Sequence, residues 1–150
     1  MYSVIKSFKF EAAHRLWTMP TDHPCKNIHG HSYVVRVGVG IDNVINMKNP
    51  NMVVDFGILK KFQEDLNTMD HALILHEEDP LNEILKDQVC KIITMPLGLD
   101  VTAENMAFLF ANRINQMCLE DFGIKSGNIQ VEVDETVGNT ATYTRSIGGV

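Results

Sequence analysis

His29-Gly30-His31-Ser32-Tyr33-Val34-Val35-Arg36-Val37-Gly38-Val39-Gly40-Ile41 is the stretch that decides the fold class of this 150-residue chain. Side chains along a strand alternate between faces. His29, His31, Tyr33, Val35, Val37 and Val39 therefore share one face, while Ser32, Arg36 and Gly38 lie on the other. The segment reads as a strand with one buried face that begins in two imidazoles. Residues 2–13 read the same way, with Val4, Phe8, Phe10 and Ala12 on one face. His14 continues that parity, so it can stand on the buried face of a neighbouring strand.

Outward from this pair, residues 15–28 hold Pro20, Asp22, Pro24 and Asn27 and read as a loop. Asp42 to Asn51 is polar and turn-like. Residues 52–56 are a short extended piece, and Asp55 is a candidate cap for a helix over 57–69, where Leu59, Phe62, Leu66 and Met69 recur at helical spacing. The 70–101 stretch predicts a short helix near 82–87, a short strand near 91–95 and a loop over 96–100. Thr102 is the expected N-cap of a long helix reaching about Phe122, with Met106, Leu109, Phe110, Ile114 and Met117 as its apolar stripe. Residues 129–133 form a strand that pairs with 140–146 across the Val137-Gly138-Asn139 turn. The order strand, strand, helix, helix, strand, strand predicts an α+β domain: a four-stranded antiparallel sheet with two main helices on one face. One domain over 1–150 is expected, with no internal repeat or linker.

Composition narrows the function classes. Apolar residues make up 45% of the chain and charged residues 21%, which favours a packed core over disorder. The formal net charge of -6 argues against a nucleic-acid surface. No apolar run approaches the roughly 18 residues needed to cross a bilayer. Residues 1–6 lack the pattern of a signal peptide. Cys25, Cys90 and Cys118 are an odd, sparse set, which argues against a disulfide framework and for a reducing cytoplasm.

His14, His29 and His31 are the candidate metal ligands. Two imidazoles from one strand and one from its neighbour make a three-sided cradle with an open side, the ligand set of a catalytic zinc site. Gly30 lets another group approach closely. Taken singly, each histidine would be an ordinary polar or core residue; the His-Gly-His spacing with a third histidine at a strand end favours metal. Zinc suits the imidazole set best, with iron, nickel and copper as competitors. His23 and His76, in polar loops, are expected to be solvated.

Cys25 has three readings: a fourth ligand closing a structural site, a reactive thiol, or an inert small residue. A nearby zinc favours the thiolate, so position alone does not choose between the first two. Asp70-His71 is either an ordinary helix-end pair or an acid/base relay. Adjacent residues do not face each other along regular structure, so the relay reading needs a third group. Glu135 follows Val131 and Val133 in parity and should point at an apolar face, where it needs a partner such as Arg145 or a bidentate N–H edge of a ligand. Glu104 lies in the first turn of the long helix, where the helix dipole alone would favour it.

These pieces, in this order, resemble the 6-pyruvoyltetrahydropterin synthase/6-carboxytetrahydropterin synthase family. Phe10-Glu11-Ala12-Ala13-His14-Arg15-Leu16 looks like its first metal motif, and Cys25 to His31 like its second. Val54-Asp55-Phe56, Asp70-His71, Thr102-Ala103-Glu104-Asn105 and Asp134-Glu135-Thr136 follow in the family's order. The resemblance implies the tunnelling fold and a homo-oligomer, a hexamer built as two trimers with sites between subunits. It implies that His14, His29 and His31 hold Zn2+, that Cys25 is a base in relay with Asp70 and His71, and that Glu135 anchors a pterin with Glu104 and Thr102 nearby. The three-residue gap between Cys25 and His29 resembles the carboxy branch, which serves queuosine and deazapurine synthesis. That branch converts 7,8-dihydroneopterin triphosphate to 6-carboxy-5,6,7,8-tetrahydropterin, acetaldehyde and triphosphate. The alternatives are the pyruvoyl reaction, which expels triphosphate without carbon–carbon cleavage, and a non-catalytic structural zinc module. The 70–101 segment, with Leu75-His76-Glu77-Glu78-Asp79-Pro80, is longer than in compact carboxy-branch members, and the 137–141 turn lacks the cysteine of some members.

Overall fold

The structure is a computed structural model that describes residues 1–42, 52–57, 59–88 and 91–149. Most of the Asp42 to Asn51 stretch expected as a turn lies outside the described residues, as does Cys90. Strands β1 (Tyr2–His14) and β2 (His29–Ile41) pair antiparallel over their whole length, from Tyr2 opposite Ile41 to His14 opposite His29. The alternation read from the sequence sets this register. Phe8, Phe10 and Ala12 of β1 and Tyr33, Val35, Val37 and Val39 of β2 are all buried on one face. A slip of one residue would turn both apolar sets to solvent.

Helix α1 (Lys60–Met69) follows, three residues later than its predicted start at Gly57. Asp55 Oδ1 accepts from the Gly57 amide at 2.7 Å, so it caps a preceding turn rather than the helix. Strand β3 (Ala72–His76) comes next and was not expected. All five of its residues are buried, so it shows no alternation and reads in sequence as an unassigned apolar run. Helix α2 (Leu81–Ile84) and strand β4 (Ile92–Met95) correspond to the short elements expected there. Helix α3 (Ala103–Glu120) starts after Thr102, whose Oγ1 accepts from the Asn105 amide at 3.2 Å. Strands β5 (Asn128–Thr136) and β6 (Asn139–Ser146) close the chain as a hairpin.

The sheet has six strands in the order β4-β3-β1-β2-β5-β6. β3 runs parallel to β1, and β4 parallel to β3. The expected four-stranded antiparallel sheet is thus corrected to a six-stranded mixed one. The four expected strands lie side by side as β1-β2-β5-β6, and β3 and β4 extend the sheet beyond β1. α1 packs on β1 and β3, and α3 packs on β5 and β6. Phe62 of α1 meets Phe8 edge-on at 5.3 Å and Phe110 of α3 at 5.5 Å, which joins both helices to the sheet in one core. Among the described residues, no helix is long and apolar enough to cross a membrane.

Two local features shape the site end of the sheet. A register shift between Asp134 and Thr136 leaves Glu135 as a bulged residue. At the entry to β5, Gly127 has φ 137, and a Cβ there would lie 2.2 Å from the Gly40 carbonyl oxygen, so only glycine fits.

His76 is not solvated, contrary to expectation. It is 4% exposed, its Nδ1 accepts from the Glu78 amide at 3.0 Å and its Nε2 donates to the Gly98 carbonyl at 3.1 Å. The parallel β3 carries it inward, which its charged sequence neighbours do not reveal. His23 is half-buried, and its Nδ1 accepts from the Cys25 amide at 3.2 Å, capping a 3-10 turn over Pro24–Lys26.

Candidate metal centre

The β1–β2 register brings His14 opposite His29 and Ala12 opposite His31. One nitrogen from each of the three imidazoles lies within 4.8 Å of the others. His14 Nε2 and His29 Nε2 are 3.1 Å apart. Two ligands at zinc's usual bond length of about 2.0–2.1 Å, set at a tetrahedral angle, would stand about 3.3 Å apart. The outer nitrogens are fixed from behind. His14 Nδ1 donates to the Val101 carbonyl and His29 Nδ1 to the Asn27 carbonyl, both at 2.7 Å. Each Nε2 is then the lone-pair nitrogen, the arrangement by which a second layer of hydrogen bonds orients metal ligands. His31 Nε2 is buried without any partner. An orphaned buried nitrogen is destabilising unless something absent from the protein satisfies it, and a cation bound by all three does so. Burial, then the His29 and His31 rings, push His14 down to about 4 against the opposing bond to Val101. Burial also lowers His31. Both are therefore neutral near neutral pH, the form that binds metal.

Tyr33 stands two residues beyond His31. Its ring lies edge-on to His31 at 5.5 Å and to His14 at 6.1 Å, and it stacks on Phe10 at 4.8 Å. Its hydroxyl is buried with no partner, and burial with the Glu135 charge holds the phenol neutral. The sequence marks it only as a core residue.

The bulge at Glu135 brings its Oε1 to 4.0 Å from His14 Nε2. Burial and the nearby Glu104 raise the Glu135 carboxyl above its ordinary range, while His29 opposes. Arg145 does not partner it; that guanidinium bonds the Asn112 side chain and the Gly149 carbonyl. Glu135, Glu104 and Thr102 line one cavity of about 580 Å³, together with Leu16, Met19 and the 138–141 turn. The three expected substrate-side residues are thus brought together beside the histidines.

Cys25 is half-buried in the Pro24–Lys26 turn. Among the described residues, the converging ligand set is the three histidines and does not include Cys25. Asp70 and His71 do bond directly, with Oδ2 to Nδ1 at 2.9 Å, and no third group is needed. The reason is local: His71 has φ 57, a left-handed turn that breaks regular structure between the two side chains. Asp70 Oδ1 also accepts from the Glu11 amide at 2.8 Å, and this bond, then His71, lowers its carboxyl. His71 is exposed and borders a depression lined by Glu11, Ala13, Gly30 and Ser32 together with the candidate ligand His31. Among the described residues, neither Asp70 nor His71 bonds to Cys25, so one chain does not assemble the expected three-residue relay.

Sequence reasoning also missed Asp100. Its carboxylate accepts from the amides of Trp17 at 3.1 Å and Thr18 at 3.0 Å and from the Thr18 hydroxyl at 2.5 Å. Nothing local signals it, because its partners lie more than eighty residues upstream.

The chain is similar to known proteins in sequence and in fold. The family model for 6-pyruvoyl tetrahydropterin synthase matches residues 3–146. A protein of Aquifex aeolicus named 6-carboxy-5,6,7,8-tetrahydropterin synthase is 32% identical over 95% of this chain and 97% of its own length. A Synechocystis protein of the same name is 35% identical over 95% of this chain and 93% of its own. Among solved structures, the 6-pyruvoyl tetrahydropterin synthase of Plasmodium vivax superposes with a TM-score of 0.68 at 20% identity, covering 98% of this chain and all of that one. That of Caenorhabditis elegans gives 0.61 at 24% identity, covering 96% and 95%. The shared architecture is the tunnelling fold, here with a sheet of six strands rather than the expected four. With a family model spanning residues 3–146 and relatives above 30% identity over nearly the whole chain, this protein belongs to the 6-pyruvoyl tetrahydropterin synthase family.

Proposed function

We propose that the protein is a zinc-dependent lyase that converts 7,8-dihydroneopterin triphosphate to 6-carboxy-5,6,7,8-tetrahydropterin, releasing acetaldehyde and triphosphate, in queuosine or deazapurine synthesis in the cytoplasm. The observation that carries this reading is the 4.0 Å approach of Glu135 to His14, which sets a pterin-sized carboxylate anchor beside a three-imidazole cradle. The names of the relatives at 32% and 35% identity favour the carboxy over the pyruvoyl product.

The roles are those the family resemblance implies, and the histidine cradle with Glu135 beside it supports them. His14, His29 and His31 hold the metal. Zinc there would act as a Lewis acid on the hydroxyls of the substrate side chain. Glu135, half-buried with the neutral His14 ring 4.0 Å away, accepts two parallel N–H bonds from the pterin's 2-amino and N3 edge. Thr102 and Glu104 border the ring in the same cavity. Cys25 is the base that moves protons on the side chain. Asp70 orients His71 as its relay partner, and because neither bonds to Cys25 among the described residues, the relay is completed between copies of a homo-oligomer, a hexamer of two trimers.

Product analysis with zinc-loaded protein and dihydroneopterin triphosphate tests the proposal. Acetaldehyde and triphosphate should appear in equal amounts. Triphosphate without acetaldehyde would sink the carboxy reading in favour of the pyruvoyl reaction. Neither product, with zinc bound, would leave a structural zinc module.

A further inference from the structure

The loop from Arg15 to Asn27 carries Cys25 yet contains only one 3-10 turn, so no ladder of backbone bonds fixes it. It is held instead by two carboxylates from the 77–101 segment. Asp79, with no side-chain exposure, accepts from Arg15 Nε at 2.6 Å and Nη2 at 2.5 Å, a two-pronged bond, and from the Leu81 amide at 2.9 Å. Its turn is itself tied down, because Asn82 Nδ2 donates to the carbonyls of His76 at 2.8 Å and Asp79 at 3.0 Å. Asp100 holds the amides of Trp17 and Thr18 from the other side.

From these anchors the contacts run to the thiol. The Arg15 guanidinium lies 5.1 Å from the Trp17 ring and the Lys26 ammonium 4.8 Å from it. Lys26 Nζ donates to the carbonyls of Trp17 at 3.0 Å and Met19 at 2.8 Å. The Leu16 amide donates to the Cys25 carbonyl at 2.8 Å. Cys25 itself and the residue after it are thereby tied to residues 16–19. The next carbonyl along from Asp100, that of Val101, orients His14.

We propose that Asp79, acting through Arg15, is a positioning residue for Cys25, and that the long 77–101 segment is a clamp that holds the thiol loop against the metal cradle. A buried ion pair is weak evidence for stability, because well-packed apolar residues often do as well. What the two-pronged Arg–carboxylate bond supplies is fixed orientation. The proposal rests on the reading that Cys25 takes part in turnover.

The test compares zinc-loaded wild type with Arg15→Lys, which keeps the charge and loses the fork, and with Lys26→Met, which cuts the link between Trp17 and Cys25 without stranding a buried charge. Three quantities are read: zinc per chain, kcat and KM separately, and the rate at which iodoacetamide alkylates Cys25, followed on its own peptide by mass spectrometry. Misplacement of a reacting group on the order of 1 Å lowers turnover by up to about a hundredfold. Both variants should keep full zinc and a KM within about threefold, while kcat falls at least about tenfold and the alkylation rate shifts by about fivefold or more. Unchanged kcat and alkylation in folded variants would overturn the proposal. So would a fall in kcat that simply follows zinc loss. If Arg15→Lys does not fold, Lys26→Met decides alone. If wild type turns over no pterin, the proposed function fails, and the alkylation rates still judge the clamp.

Discussion

Removing the metal and lowering the pH should expose what it costs to bury His14. The residue is 1% exposed and its folded-state value is about 4, against an ordinary 6.5. A depressed histidine binds its proton more tightly in the unfolded chain than in the folded one. The stability it contributes is therefore complete above about pH 6.5 and is lost as pH falls towards about 4. At about 1.4 kcal/mol per pKa unit the full loss is about 3.5 kcal/mol, and about 2.5 kcal/mol of it should have gone by about pH 4.5. The assay is urea unfolding in chelator at fixed protein concentration, near pH 7.5 and near pH 4.5, for wild type and His14→Gln. Titrating groups remote from His14 act alike in both proteins and cancel in the difference. Wild type should lose about 2.5 kcal/mol more than the variant between the two conditions. Equal losses would refute the argument that burial keeps His14 neutral and ready for metal.

Two further outcomes follow from single positions. Cys25→Ala should retain one zinc per chain by metal analysis and lose turnover, because the histidine cradle is complete without the thiol; loss of stoichiometric zinc would return Cys25 to the role of ligand. Gly127→Ala should destabilise the protein by about 3 kcal/mol or more in denaturant unfolding, since its Cβ would stand 2.2 Å from the Gly40 carbonyl oxygen at a φ that alanine avoids; a change below about 1 kcal/mol would mean that the entry to β5 shifts freely.

Much of the site was legible because it depends on short-range periodicity. Alternation along β1 and β2 puts His14, His29 and His31 on one buried face, and the register of two apolar strands leaves little choice in how they meet. The N-cap at Thr102 and the Glu135 parity are local in the same sense, although the bulge that aims Glu135 at His14 is not written in its neighbours. The clamp was not legible at all. Arg15 and Asp79 are 64 residues apart, and an aspartate in a run of charges looks solvated until the parallel β3 draws it inward.

By itself the sequence determined the two central strands, the long helix and the convergence of three imidazoles, because hydrophobic alternation encodes which face of an element is buried. Only the tertiary structure decided that β3 and β4 add parallel to the sheet, that His76 and Asp79 are interior, and that Asp70 and His71 bond to each other. Those outcomes hang on which distant segments pair and on one left-handed turn at His71, and neither long-range pairing nor a single backbone dihedral leaves a periodic trace in the chain.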